Sequence, residues 1–145
     1  MSAAPAKTLG VADLQAMVEN SPFIAFCQLK VTELDLDQQV LTMYAPFRAE
    51  FERGPGTKQW HGGPLASIID TVGDFAIAMM VGGGIPTINF RVDYLRPAVD
   101  TGLVAKATVR RIGRTVGVAD VDLLNDKGAL VAIGRGTYAI PASGA

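Results

Sequence analysis

Residues 61–84 decide the fold: His61-Gly62-Gly63-Pro64-Leu65-Ala66-Ser67-Ile68-Ile69-Asp70-Thr71-Val72-Gly73-Asp74-Phe75-Ala76-Ile77-Ala78-Met79-Met80-Val81, closed by Gly82-Gly83-Gly84. Leu65, Ile68, Ile69, Val72, Phe75, Ala76, Met79 and Met80 recur at i, i+3, i+4 and i+7 without a miss, the period of a helix with an apolar face. Pro64 suits the first turn, where a missing N–H costs nothing. The three glycines stop the helix and permit a left-handed turn. Ala66, Gly73, Ile77 and Ala78 carry the apolar surface around most of the circumference. Such a helix is enclosed by the rest of the protein.

Working outward, the flanks read as one short helix and six strands. Residues 1–8 are small and polar and are expected to fray. Val11, Leu14, Met17 and Val18 repeat at helical spacing until Asn20-Ser21-Pro22 ends that helix. Cys27 to Leu34 alternates like a half-buried strand, Asp35-Leu36-Asp37 turns, and Gln38 to Ala45 forms a second strand. Pro46 to Trp60 is a loop around Gly54-Pro55-Gly56. After the long helix come strands at Thr87–Leu95, Leu103–Ile112, Thr115–Leu124 and Ala129–Ile140. Gly113-Arg114 predicts a two-residue hairpin with glycine at positive φ, and Asn125-Asp126-Lys127-Gly128 a longer one. The economical architecture is α+β, an antiparallel sheet wrapped around one long central helix, with 1–145 as a single domain.

Composition narrows the classes of function. Of 145 residues, 49% are apolar and only 19% charged, so some surface is expected to be hidden against copies of the same chain. A net charge of −1 argues against a nucleic-acid binder held by phosphate neutralisation. No apolar run reaches the length of a membrane span, and the N-terminus lacks a signal-peptide pattern. Cys27 is the single cysteine, which fits a reducing compartment, so a cytoplasmic protein is expected. Arg91, Arg96, Lys106, Arg110, Arg111 and Arg114 face only Asp93 and Asp100 in the same stretch, a local excess suited to a small polyanion such as a nucleotide phosphate.

Candidate chemistry clusters on the long helix. His61-Gly62-Gly63 lets a ligand approach the backbone, and the free N–H groups of the first turn suit an oxyanion or polarised carbonyl. Asp70 and Asp74 interrupt the apolar surface one turn apart. Burial and mutual repulsion raise the pKa of at least one, the direction useful to a general base. His61 is the only histidine, and no ligand spacing for a metal is present. Phosphate-loop, dinucleotide and Gly-x-Ser-x-Gly patterns are all missing.

His61-Gly62-Gly63, Asp70 nine residues after the histidine, and Tyr94-Leu95-Arg96-Pro97-Ala98 together resemble the PaaI-like acyl-CoA thioesterases of the hotdog fold. The resemblance runs from the first helix to the last strand. It implies a sheet wrapped around a central helix and a homodimer with sites at the subunit interface, often a dimer of dimers. It also implies roles: Gly62 N–H polarises the thioester carbonyl, Asp70 is base or nucleophile, and Thr87 helps position water. Its catalytic candidates are thus Asp70, Gly62, Thr87 and His61. The substrate-binding candidates are Gly63, Asp74, Asn89, Arg96, Arg111 and Arg114, the arginines toward CoA phosphates. No cofactor is expected, coenzyme A being part of the substrate. Six residues before His61, where relatives often carry an amide, stands Pro55; Gln59 is the nearest amide. Asp74 stands where some hotdog thioesterases carry a hydroxyl residue.

The function expected is hydrolysis of a small aromatic or short- to medium-chain acyl-CoA. The alternatives are a hotdog hydratase or dehydratase, for which only His61 could serve, and a non-catalytic acyl-CoA binding module. Helix geometry adds a constraint. Eight residues separate Gly62 from Asp70, about 12 Å at 1.5 Å per residue, beyond the reach of one reacting thioester. An antiparallel second helix would bring its Asp70 opposite this Gly62, so a homodimer with two shared sites is expected.

Overall fold

The computed structural model describes residues 7–142. In chain order it contains α1 (Val11–Asn20), α2 (Pro22–Cys27), β1 (Lys30–Asp35), β2 (Val40–Ala45), a 3₁₀ turn (Ala49–Phe51), α3 (Gly62–Val81), β3 (Thr87–Tyr94), β4 (Leu103–Ile112), β5 (Val116–Asn125) and β6 (Leu130–Ala139). The six strands form one sheet in the order β1-β2-β4-β5-β6-β3, antiparallel throughout. Helix α3 packs across β2 to β6.

Helix α3 is long and apolar enough to cross a bilayer by length and composition alone. Here the same apolar surface serves a core. Ten of its twenty residues are buried, and Gly63 is the only exposed one. The sheet supplies the matching inner face: Leu41, Met43, Ala105, Ala107, Ala119, Val121, Leu123, Ala132 and Tyr138 are buried beneath the helix. Gly82 ends α3 at φ 89, and its N–H donates to Ala78 O at 2.8 Å. A side chain there would be strained and would also strike the Lys7 carbonyl. The Lys7–Gly10 segment crosses this end of the helix, with Leu9 N–H donating to Met79 O at 2.9 Å. Of the residues expected to fray, 1–6 lie outside the described residues.

Two local expectations are corrected. Cys27 does not begin a strand; it closes the short helix α2, and β1 starts at Lys30. Pro22 both stops α1 and, as the first helical residue of α2, presets φ for the next turn. Gln28 then takes a left-handed conformation that redirects the chain. The β4–β5 turn spans three residues, 113–115, and Gly113 does not have positive φ. Its N–H instead donates to Val116 O at 2.8 Å.

Candidate active site

The loop entering α3 is fixed from three sides. Trp60 is buried, stacks on Phe51 with centroids 5.4 Å apart, and donates its indole N–H to Thr101 O at 2.8 Å. Trp60 N–H donates to Ala98 O at 2.9 Å, and His61 N–H to Phe51 O at 2.7 Å. His61 is then the N-cap of α3, its Nδ1 accepting the Gly63 N–H at 3.0 Å. The ring nitrogen that accepts carries no proton, so the neutral tautomer bears it on Nε2.

That cap accounts for the first-turn donors one by one. The Gly63 N–H is taken by His61, and Pro64 has none. Gly62 N–H is therefore the donor of this turn left with no partner among the described residues. The peptide beyond it is held by Tyr94, whose hydroxyl donates to Gly62 O at 2.8 Å. A groove of about 380 Å³ opens in front of this donor, walled by Arg53, Gln59, Trp60, Leu65 and the Tyr94–Ala98 segment, with Arg96 among them. An unpaired N–H at the positive end of a helix, lining a groove, can receive a carbonyl oxygen on which charge develops.

Asp70 lies eight residues along the same helix, about 12 Å of rise from Gly62. Thr87 Oγ1 donates to Asp70 Oδ1 at 2.8 Å. A register shift between Thr87 and Asn89 makes this contact possible. On β6, Tyr138 and Gly136 face the helix while Thr137 faces away, and their β3 partners are Thr87, Phe90 and Asn89 respectively. The extra residue Ile88 thus turns Thr87 toward α3. Burial raises the Asp70 carboxyl above its ordinary pKa, and the Thr87 hydrogen bond opposes that rise. Asp74, one turn on, is pushed up to about 7 by burial and then by the charge of Asp70. It sits in a second cleft of about 470 Å³, walled by Met17, Ile24, Phe75, Ile85 and Pro86 with Asn20 and Ser21 at the rim. Pro86 immediately precedes Thr87, so this cleft begins beside the Asp70–Thr87 pair.

The remaining candidates scatter. Gly63 and Arg96 border the Gly62 site. Asn89 faces away from α3, in a recess of about 350 Å³ on the outer sheet face that it shares with Arg91, Asp120 and Arg135. Arg111 and Arg114 lie beside the β4–β5 turn, at the opposite end of the sheet from Gly62. The rows through Tyr94–Ala132 and Thr87–Tyr138 mark those two ends, six residues apart on β6, roughly 20 Å. Within one chain these arginines therefore do not join the groove. Arg91 pairs with Asp93 at 3.0 Å and Arg110 with Asp120 at 3.4 Å, so the basic stretch is partly neutralised. Pro55 does not line the groove, whereas Gln59 does. Arg53, the Tyr94 hydroxyl and Tyr138 were not singled out by sequence. Tyr94 carried a signal only through its Tyr-x-Arg-Pro setting.

Residues 58–132 match the model of the family described as the thioesterase superfamily. A putative esterase of Halobacterium salinarum is 33% identical over 138 residues, covering 88% of this chain and 89% of the relative. The acyl-coenzyme A thioesterase PaaI of Escherichia coli is 33% identical over 124 residues, covering 83% of this chain and 84% of that protein. Among solved structures, an X-ray structure of a thioesterase-superfamily protein superposes with a TM-score of 0.82 at 33% identity, covering 87% of this chain and 94% of that one.

Proposed function

The chain belongs to the thioesterase superfamily, has the hotdog fold and is an acyl-CoA thioester hydrolase; from that premise we propose that it hydrolyses a small aromatic or short- to medium-chain acyl-CoA at a site shared between two copies of the chain. The unpartnered Gly62 N–H facing the groove carries this reading. It accepts the thioester carbonyl oxygen, and the tetrahedral oxyanion gains more from that donor than the ground state does. Asp70 takes a proton from a water held with Thr87. The water oxygen adds to the carbonyl carbon, the C–S bond breaks, and the proton goes to the departing CoA thiolate. The cleft beside Asp70 and Thr87, apolar on most walls, suits an acyl group of the stated size.

The two halves of the site come from different chains. Gly62 and Asp70 of one chain are too far apart along α3 for a single thioester. β3 is an edge strand with Phe90 39% and Tyr94 54% exposed. A second copy related by a two-fold axis, its α3 antiparallel, covers that face and brings its Asp70 to this Gly62. The same operation carries the partner's β4–β5 turn toward the end of the sheet where Gly62 lies. Arg111 and Arg114 then approach the CoA phosphates from across the interface, while Arg96 approaches them from within the chain.

A panel of acyl-CoAs assayed for free thiol tests the reading. Asp70→Asn should fold normally by circular dichroism and lower kcat by about 10²–10⁴-fold on the best substrate. A variant that keeps most of its turnover would remove Asp70 from the role of base.

A further inference from the structure

Tyr138 on β6 is 0% exposed, and its hydroxyl donates to the main-chain carbonyl of Asp70 at 3.0 Å. Its direct cross-strand partner is Thr87, which donates to the carboxylate of the same residue at 2.8 Å. One rung of the sheet thus grips one helix residue at two points, backbone and side chain. The tyrosine hydroxyl reaches that place only because two positions lack a side chain: a Cβ at Gly73 or at Gly136 would collide with it. Gly73 lies inside α3, where glycine costs about 1 kcal/mol relative to alanine. Gly136 lies inside β6, where it weakens the strand.

Satisfying the backbone does not require this hydrogen bond. The Asp70 carbonyl is an interior helix acceptor, four residues before the Asp74 N–H, and already has a partner in the helix ladder. Phenylalanine would bury the same ring with no phenolic oxygen to satisfy. Two glycines and a buried phenol thus combine to set a second bond on a carbonyl that has one. Burial raises the phenol pKa, and the carboxylates of Asp70 and Asp74 raise it further, so the group stays a donor throughout the working pH range.

We propose that Tyr138 is a positioning residue for thioester hydrolysis, acting with Thr87 to fix the α3 turn that aims the Asp70 carboxylate at the attacking water. This rests on the reading of Asp70 as the base. It leaves substrate contacts untouched, because Tyr138 faces the interior and not the groove. Misplacement of a catalytic group by an ångström or less lowers rate without weakening binding.

The test is a set of variants assayed per mole of folded protein. Tyr138→Phe should lower kcat about tenfold and leave KM within about twofold. In an Asp70→Asn background the same change should have no further effect on the residual rate. Thr87→Val should also lower kcat, Thr87→Ser should restore it, and the Thr87→Val/Tyr138→Phe double variant should lose less than the product of the two single losses. A tenfold loss that persists in the Asp70→Asn background would overturn the proposal, as would an effect on KM alone. If Tyr138→Phe instead destabilises the fold, the Asp70→Asn comparison at matched folded fraction still decides, since a purely structural role slows both backgrounds alike. Asp70→Asn as fast as wild type would refute the underlying reading. A slow Asp70→Asn beside a wild-type-like Tyr138→Phe would refute the positioning role alone.

Discussion

The two edges of the sheet are finished differently. At β1 the chain protects itself: α1 lies across the strand, Gln15 Oε1 accepts the Val31 N–H at 3.0 Å, the register slips between Val31 and Glu33, and Lys30 and Glu33 are exposed. Charges, a bulge and a covering helix are the usual ways of blunting an edge. At β3 there is also a bulge, but it turns Thr87 toward Asp70 and leaves the helix-side face apolar, with Phe90 and Tyr94 in the open. Ile88 is 57% exposed, Leu95 50% and Val99 52%, extending the same apolar margin. In a chain with few charges such an edge is costly in water unless something covers it. The contrast teaches that one edge is blunted and the other left open, and the candidate catalytic residues lie along the second.

The largest effect should come from making the second edge resemble the first. Phe90→Asp places a charge on the exposed helix-side face of β3. It should give monomers in sedimentation and lower turnover by about 10³-fold or more, since carbonyl donor and base then never meet. Thr32→Asp, an exposed position on β1, should change neither mass nor rate. A fully active Phe90→Asp monomer would end the shared-site reading.

Complementation is the next test. Gly62→Pro deletes the unpartnered N–H at a helix position that accepts proline, and His61, at φ −70 and ψ 149, already has the backbone a following proline favours. Gly62→Pro and Asp70→Asn homodimers should each be nearly inactive. Co-refolding them in equal amounts gives half mixed dimers with one complete site in two, so about a quarter of wild-type activity should return. No recovery would mean that each chain uses its own pair.

Sequence carried the central helix and its caps because sixteen residues of period 3.6 leave few other structures open. The motif spacing put Gly62 and Asp70 on that helix, and the structure joins Asp70 to Thr87, which the resemblance named, by a hydrogen bond. Sequence misread Cys27 because a six-residue helix is too short to show a period, and Pro22 can stop one helix and start another. Asn89, a binding candidate, lies on the outer sheet face because the bulge at Ile88 reverses which face each residue takes, and a single inserted residue has no mark in the alternation. Tyr138 lies sixty-eight positions from Asp70, and only the strand register brings them together. Gln59 reaches the groove where Pro55 does not because the loop pairs Gln59 with Val99.

The smallest effect separates charges at the two edges. Lys30 and Glu33 in β1 are exposed, whereas Asp74, one turn from Asp70, is half-buried and makes no ion pair among the described residues. Burial first, and the Asp70 charge second, lift its pKa from 3.8 to about 7. The folded protein therefore holds a proton that the unfolded chain releases. That contribution to stability is fully present below about pH 4 and is lost as pH rises toward 7, beyond which the fold carries a partly desolvated charge. Asp74→Asn removes the titration, so its stability relative to wild type should improve between pH 5 and pH 8. At 1.36 kcal/mol per pKa unit, discounted for partial solvation, the improvement should be about 2 kcal/mol. In the pH profile of kcat/KM, wild type should show an inflection near 7 that Asp74→Asn loses. Denaturant melts at the two pH values read the first effect directly. An Asp74→Asn gain that is equal at pH 5 and pH 8 would mean that Asp74 is solvated in the working protein, as Lys30 and Glu33 are at the other edge.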